Sequence, residues 1–179
     1  MPDTTPAPVT VLGLGAMGRA FVATLLKGGR SVTVWNRTPG KDAELVAAGA
    51  SSAASLTDAI AASPVIIVLL LDHASVHATL DPVADQLSGR AVINLTSTTP
   101  EESCASARWA EAHGIDYHHG GINAVPPIIG QPRAWKLYSG AHTVFEQQRV
   151  TLELLASAEN FGADAGQAST LDFTLLSAL

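Results

Sequence analysis

A glycine-rich turn between a short apolar strand and a helical segment constrains the fold of this chain most strongly. The strand is predicted at Val9–Leu12, and Gly13, Gly15 and Gly18 follow it in the pattern G-x-G-x-x-G. In such a turn the first glycine permits a tight bend, the second lets the backbone approach a pyrophosphate, and the third lets the helix pack on the strand. Because strand and helix are both in place, the pattern predicts a dinucleotide site rather than a turn without a ligand.

Apolar strands and helical segments alternate along the rest of the chain. The strands are predicted at 31–35, 65–71, 91–95, 115–118, 134–139 and 158–161, and the helices at 20–27, 41–48, 55–62, 74–87, 100–113 and 144–155. The segment 65–71 is apolar throughout, which is typical of a strand buried on both faces of a sheet. This alternation predicts an α/β fold of the Rossmann type, with a doubly wound and mostly parallel sheet.

The two ends of the chain differ from the middle in composition. Residues 1–8 are rich in proline and threonine, and we expect a flexible tail there, followed by a nucleotide-binding domain at 9–165. Residues 166–179 predict a helix that is apolar almost throughout, with no glycine cap, basic residue or proline at its end. A terminal helix docked on the sheet is one interpretation. The missing stop signals favour the other, the start of an interdomain helix leading to a second domain or a partner subunit.

Charge and composition argue against several classes of partner. The formal net charge is −6, and no cluster of lysine and arginine stands out, so we expect no nucleic acid and no anionic membrane surface as partner. The longest apolar run, 65–71, is too short for a membrane span. The N-terminal sequence does not resemble a signal peptide, and Cys104 is the only cysteine. We therefore expect a cytoplasmic protein.

The residues after the second predicted strand indicate which dinucleotide is bound. An NAD site carries an acidic residue there, which accepts hydrogen bonds from the ribose 2′-hydroxyl. This chain has Asn36, Arg37, Thr38 and Lys41 instead. A guanidinium offers planar, forked donors to a 2′-phosphate, so the segment predicts NADPH as cofactor. The alternative is that Arg37 and Lys41 are ordinary surface charges.

Polar side chains follow two of the later strands. Asn94, Thr96 and Ser97 come at the carboxyl end of a predicted strand, where such folds bind ligands, although hydroxyls before Pro100 are also typical helix caps. The segment 120–127 is interpreted as a rigid loop that either forms a wall of the nicotinamide site or is a simple crossover.

Asp172 lies within the apolar terminal helix and is a candidate catalytic group. A buried and unpaired carboxylate is expensive, so it would have a raised pKa and could donate a proton or balance a cationic substrate. The equally weighted alternative is an exposed aspartate near a helix start. His73 and His77 share one helix face without an evident third ligand, so no metal site is predicted. His118 and His119 are expected to point to opposite faces of a strand.

At these residues the chain resembles the imine reductases, within the β-hydroxyacid dehydrogenase group that includes 3-hydroxyisobutyrate and 6-phosphogluconate dehydrogenases. The stretches specific to the imine-reductase branch are Trp-Asn-Arg-Thr-Pro at 35–39 and Asn-Leu-Thr-Ser at 94–97. Further matching stretches stand at 13–18, 70–72, 124–127, 129–130, 137–140 and 166–172, so the resemblance covers essentially the whole chain after the tail.

The resemblance implies an NADPH-dependent reduction of cyclic imines, with reductive amination in some members. It also implies a Rossmann domain, a long interdomain helix and a helical domain through which two chains interlock as a homodimer. An aspartate matching Asp172 is the proposed acid. The implied cofactor-binding residues are Gly13, Leu14, Gly15, Ala16, Met17, Gly18, Asn36, Arg37, Thr38, Lys41, Leu70, Leu71, Val76, Asn94, Thr96, Ser97 and Val125.

Three departures from the family pattern qualify this expectation. The hydroxyacid enzymes carry a catalytic lysine in the segment that here reads Ala168-Ser169-Thr170-Leu171-Asp172, which favours the imine-reductase branch. Asn123 stands where the family usually has an apolar residue. The helical domain is absent from this chain, so we expect a cofactor-binding part with an incomplete active site. A β-hydroxyacid dehydrogenase and a non-catalytic NADP-binding module remain as alternatives.

Overall fold

The computed structural model describes residues 7–132 and 134–177, in which eight strands form one sheet with the order β3-β2-β1-β4-β5-β6-β7-β8. Neighbouring strands are parallel except β6 and β7, which are antiparallel. The strands are β1 (Val9–Leu12), β2 (Val32–Trp35), β3 (Ser51–Ser52), β4 (Val65–Val68), β5 (Ala91–Asn94), β6 (Asp116–Asn123), β7 (Trp135–Gly140) and β8 (Ser157–Asn160).

Within the described residues, seven helices cover the two faces of the sheet. They are α1 (Ala16–Lys27), α2 (Ala43–Ala47), α3 (Leu56–Ala61), α4 (His73–Leu80), α5 (Pro100–Ala112), α6 (His142–Leu155) and α7 (Gly166–Ser177), with 3₁₀ turns at Asp81–Leu87 and Pro126–Ile128. None of the described helices is long and apolar enough to cross a membrane. The predicted α/β fold with a doubly wound, mostly parallel sheet is confirmed.

The strand order reverses between β1 and β4. From β1 the chain winds outward through β2 and β3, and it then returns to the other side of β1 to build β4, β5 and β6. Ligands of such sheets bind in the crevice outside the carboxyl ends of the strands at this switch point. The fold therefore places the glycine turn, which follows β1, at the edge where a ligand is expected.

Alternate residues of the central strands belong to two apolar clusters, one on each face of the sheet. Val11, Val34 and Ile67 pack on one face with Phe21 of α1 and Phe145 of α6. The other face is covered by α3, α4 and α5, whose apolar residues meet a cluster with members Leu12, Ile66, Val68, Val92 and Tyr117. Because both faces are covered, β1 and β4 are buried at every position and are apolar except at Thr10.

Several predicted element boundaries were wrong, each for a local reason. The strand predicted at 65–71 ends at Val68, where β1 ends beside it at Leu12, and the Leu70 N–H bonds to the Thr96 hydroxyl instead of a strand. Leu71 is 86% exposed. The helix predicted at 74–87 is broken, because Pro82 has no N–H to donate and begins a 3₁₀ turn.

Other predictions were incomplete. The two-residue strand β3 had no counterpart in the prediction, and the helix predicted at 41–48 covers only Ala43–Ala47. The start of the predicted loop at 120–127 is in fact the end of β6, which pairs with β7 as far as Asn123. Residues 1–6 of the predicted tail and the last two residues of the predicted terminal helix lie outside the described residues.

The face of the sheet beneath α1 and α6 buries polar groups that find no hydrogen-bond partner among the described residues. They are both ring nitrogens of His118, the amine of Lys136 and the hydroxyl of Tyr138. The Lys136 amine lies 3.6 Å from the centroid of the Phe21 ring. A cation–π contact is worth about 2 kcal/mol when desolvated, less than the several kcal/mol needed to bury a charge. Burial therefore wins and lowers the pKa of Lys136 well below its usual value.

Candidate functional site

A cleft of about 550 Å³ opens at the carboxyl edge of the sheet, at the switch point between β1 and β4. Its walls are the glycine turn with the start of α1, the segment that follows β2, the segment that follows β4, and single residues after β5 and on β6. Of the sequence-predicted cofactor residues, it is lined by Gly13, Leu14, Gly15, Ala16, Met17, Gly18, Asn36, Arg37, Thr38, Lys41, Leu70, Leu71 and Ser97.

The three glycines of the turn differ in what surrounds them. Gly13 has a φ of +97°, and a Cβ there would lie 2.1 Å from the Leu69 carbonyl oxygen. A Cβ on Gly18 would lie 2.0 Å from the Gly13 carbonyl oxygen. A Cβ on Gly15 would meet no atom within 4 Å. The turn therefore needs Gly13 and Gly18 to close, whereas Gly15 leaves open space on the side of the cleft.

The amino end of α1 offers donors to this open space. The helix begins at Ala16, and its N-cap, Gly15, has no side chain that could accept a hydrogen bond from the first turn. The N–H groups at a helix start carry the positive end of the helix dipole and favour an anion. The turn is held to the segment after β2 by Asn36, whose Oδ1 accepts from the Leu14 N–H at 2.9 Å and whose Nδ2 donates to the Thr38 carbonyl at 2.9 Å.

A second cavity of about 380 Å³ adjoins the cleft where β2 ends, and Trp35, Asn36, Arg37 and Thr38 line both. Arg37 and Lys41 are exposed, and neither forms an ion pair with a carboxylate of the described chain. The one carboxylate on this wall, Asp42, accepts a hydrogen bond from the Ser52 hydroxyl, which lowers the pKa of Asp42. Arg37 and Lys41 therefore lie beside the cleft without a carboxylate partner among the described residues.

Four of the predicted cofactor residues do not line the cleft. Asn94 and Thr96 are buried beneath it, where the Asn94 amide donates to the Tyr117 hydroxyl at 3.0 Å and Asn94 Oδ1 accepts from the Thr96 N–H at 3.1 Å. The Thr96 hydroxyl in turn accepts from the Leu70 N–H. Asn94 and Thr96 therefore support the wall of the cleft from beneath. Val76 is a buried residue of α4, and Val125, which follows β6, is 58% exposed.

The cleft also contains residues that the sequence analysis missed. They are Trp35, Leu69, Ser75, Thr79, Leu95 and Ile122. Trp35, Leu69 and Leu95 stand next to a predicted residue at the end of a strand, so strand position alone could have identified these three. Ser75 and Thr79 lie four residues apart on α4, a spacing that puts two side chains on one face of a helix.

Asp172 is buried on α7, with 8% of its surface exposed. Its side chain lies against Gly121 of β6, where an added Cβ would come 2.9 Å from Asp172 Cβ and 3.0 Å from its Cγ. Burial raises the pKa of Asp172, and the neighbouring Asn123 amide lowers it to a smaller extent. The sequence left open whether the Asp172 carboxyl is buried or exposed, and in the structure it is buried.

A chain of buried side chains fastens α7 to the sheet one turn before Asp172. His119 Nε2 of β6 lies 2.9 Å from the Ser169 hydroxyl, which lies 2.7 Å from the Ser103 hydroxyl of α5. The Ser103 hydroxyl is also 2.8 Å from that of Thr98. Since Ser169 and Asp172 are three residues apart, they share one face of α7, and this network determines where the carboxyl lies.

The remaining histidines form no metal centre in the described part of the chain, which contains no group of three or more suitable ligands. His73 and His77 stack edge to face with ring centroids 4.5 Å apart, and His77 pairs with Asp81 at 2.9 Å. His118 stacks on Phe145 of α6, whereas His119 faces α7. The two adjacent histidines thus point to opposite faces of β6, as predicted.

The parallel sheet with a switch point, the glycine turn and the cleft beside it define a dinucleotide-binding domain of the doubly wound class. Residues 8–159 match the family model described as the NAD binding domain of 6-phosphogluconate dehydrogenase, so the chain belongs to that family.

Several proteins similar to this chain are reductive aminases and imine reductases. The chain is 39% identical over 172 residues to an NADPH-dependent reductive aminase from Aspergillus oryzae, covering 96% of this chain and 58% of that protein. Its fold matches a reductive aminase from Aspergillus terreus in complex with NADPH4, cyclohexanone and allyl amine, at a TM-score of 0.91 and 44% identity, over 97% of this chain and 61% of the other.

An imine reductase from Bacillus cereus matches equally well, with a TM-score of 0.93 and 39% identity over 95% of this chain and 59% of that one. These similarities confirm the resemblance that the motifs carried. The chain spans about 60% of the length of each of these three proteins.

Proposed function

We propose that this chain is the NADPH-binding domain of an oxidoreductase that reduces the C=N bond of imines or iminium ions to amines. The proposal rests on one observation: a site suited to an anion and a buried carboxyl group occur at the same edge of the sheet. The cleft has a glycine turn at a helix start with unpaired cations after β2, and a buried carboxyl, Asp172, lies against β6 in a segment where the resemblance implies a lysine for hydroxyacid enzymes.

In this proposal the pyrophosphate of NADPH docks on Gly13–Gly18 and the start of α1. The 2′-phosphate docks on Arg37, Thr38 and Lys41, none of which pairs with a carboxylate within residues 7–132 and 134–177. When bound, NADPH would supply a hydride to the imine carbon. Asp172 either donates the proton that makes the imine an iminium ion or stabilises its positive charge.

The substrate class and the assembly follow from the relatives and are part of the same proposal. A small-molecule imine, or the carbonyl and amine that form it, agrees with the cyclohexanone and allyl amine named for the Aspergillus terreus structure. Since the relatives are longer than this chain, we propose that a C-terminal helical domain completes the active site and joins two chains as a homodimer. We further propose that the protein acts in the cytoplasm.

Replacing Arg37 with alanine tests the choice of cofactor. We expect the dissociation constant for NADPH to rise about 10- to 100-fold, because charge-assisted hydrogen bonds to the 2′-phosphate are lost. The dissociation constant for NADH should hardly change, and Arg149→Ala on α6 serves as the control. Calorimetric titration with both nucleotides measures this. A wild-type preference for NADH, or equal losses for both nucleotides, would contradict the assignment.

The two types of glycine in the turn give a second test. Gly15→Ala should leave the free energy of unfolding within about 0.5 kcal/mol of wild type and still weaken NADPH binding, because the methyl group occupies the space that the pyrophosphate needs. Gly13→Ala should lower the free energy of unfolding by about 2 kcal/mol or more, since its Cβ meets backbone at a positive φ. Unfolding by denaturant and nucleotide titration measure both. Tight NADPH binding by Gly15→Ala would place the pyrophosphate elsewhere.

The activity itself is tested by NADPH oxidation with a cyclic imine, using the full-length protein. NADPH binding without turnover of any imine would favour the non-catalytic module. Turnover of a β-hydroxyacid would favour the dehydrogenase.

A further inference from the structure

We propose that Asn123 is a positioning residue for Asp172: its amide donates a hydrogen bond to the carboxylate and favours the ionised form, which balances the charge of an iminium ion. The assignment of an iminium ion rests on the proposed function. The position of Asp172 against β6, and the lack of other partners for the two groups among the described residues, rest on the structure alone.

The strand β6 brings the two groups to the same place. His119, Gly121 and Asn123 alternate along β6 and share the face that α7 covers. Gly121 has no side chain, so Asp172 lies directly against its backbone. The next side chain on that face is Asn123, and β6 holds it by pairing with β7 up to this last residue.

Each of the two groups lacks what the other offers. Asn123 Nδ2 is a buried donor with no acceptor among the described residues, and Asp172 Oδ1 is a buried acceptor with no donor among them. Buried polar groups left unpaired are costly, so two complementary ones side by side have a strong reason to pair. The amide is also the one side chain that lowers the pKa of Asp172 against the opposing effect of burial. A donor to a carboxylate favours its ionised form.

Few other groups near Asp172 can lower its pKa in place of the Asn123 amide. His119 lies on the same face of β6, but its pKa is lowered to about 4, so it is neutral at pH 7 and its Nε2 is committed to Ser169. On α5, Cys104 and Arg108 lie beside the first turns of α7, where they line a separate cavity with Gln167 and Thr170. β7 contributes the uncharged Ser139, whose hydroxyl bonds to the backbone at the start of α7.

The test is a measurement of the pKa of Asp172 in this chain, by NMR titration of carboxyl carbons labelled in aspartate and assigned with Asp172→Asn. In Asn123→Leu, which has a similar size and no donor, we expect the pKa of Asp172 to rise, so that the ratio of protonated to ionised carboxyl at a given pH increases about three- to tenfold. Asn123→Gln, which retains an amide, should recover part of the difference. Asn160→Leu on β8 is the control and should leave the titration unchanged.

The outcomes separate this proposal from the proposed function. An unchanged or lower pKa of Asp172 in both Asn123→Leu and Asn123→Ala overturns the pairing, and the smaller alanine serves if the leucine variant does not fold. A residue with a merely structural role would change the unfolding temperature without moving this titration. Because the measurement needs no turnover, a full-length protein that reduces no imine would refute the proposed function and leave the pairing standing.

Discussion

Lowering the pH from 7 to 4 is expected to decrease the free energy of unfolding by about 3 kcal/mol for each of His118 and His119. Burial lowers the pKa of each ring from 6.5 to about 4 in the folded chain. Below pH 6.5 the unfolded chain therefore binds protons that the folded chain does not. Stability is fully present above the unfolded pKa and is lost as the pH falls toward the folded one.

The protonated forms of the two buried rings are disfavoured for different reasons. His118 stacks on Phe145 and makes a tilted contact with Tyr138, and neither of its ring nitrogens has a hydrogen-bond partner among the described residues. His119 has one partner, Ser169, and leaves Nδ1 unpaired. In the described part of the chain no carboxylate favours the protonated form of either ring, and burial is the largest cause of both lowered pKa values.

His118→Phe measures one share of this loss, because phenylalanine keeps the ring contacts and cannot be protonated. Denaturant unfolding at pH 7, 5.5 and 4 should show a smaller decrease in the free energy of unfolding for the variant than for wild type. The exposed His142→Gln is the control and should retain most of the pH dependence. Equal decreases in wild type and His118→Phe would show that the ring does not titrate as its burial demands.

Replacing Asp172 with asparagine is expected to reduce imine reduction by the full-length protein about 100-fold or more and to stabilise the fold at the same time. The loss of rate follows because an amide can neither donate a proton as an acid nor balance the charge of an iminium ion. The stabilisation, on the order of 1 kcal/mol at pH 7, follows because a buried charge is removed.

The pH dependence of that stabilisation has a definite sign. Burial raises the pKa of Asp172 above its unfolded value of 3.8. The folded chain therefore holds the proton more tightly, and stability is lost as the pH rises from the unfolded pKa through the folded one. The advantage of Asp172→Asn should grow over that window and then level off. Thermal unfolding across this range measures it, with the exposed Asp85→Asn as control, and a variant less stable than wild type at pH 7 would contradict the account.

Much of the fold could be predicted because its signals are local. The glycine turn, the alternation of strands with helices and the apolar central strands all reflect backbone geometry or burial on both faces of a sheet. The boundaries were less predictable, because they depend on neighbours. β4 stops at Val68 because β1 stops beside it, and β6 continues to Asn123 because β7 returns to pair with it.

The candidate site divides in the same way. The residues of the glycine turn are close together in sequence, as are those of the segment after β2, and both groups line one cleft. Asn94 and Thr96 stand at the expected edge of the sheet, yet their side chains bond to Tyr117 and to the backbone beneath it. Strand position predicts which residues reach an edge, but the direction of a side chain depends on partners from other strands.

The glycine turn shows what the sequence determined by itself. Its spacing, its flanking strand and the arginine after β2 predict a dinucleotide site, since a positive φ and a missing Cβ are properties of glycine wherever the chain goes. Only the tertiary structure decided that Asp172 is buried against Gly121 and beside Asn123. The physical reason is that burial and pairing are set by residues some 50 positions away along the chain, which approach only when α7 packs on β6.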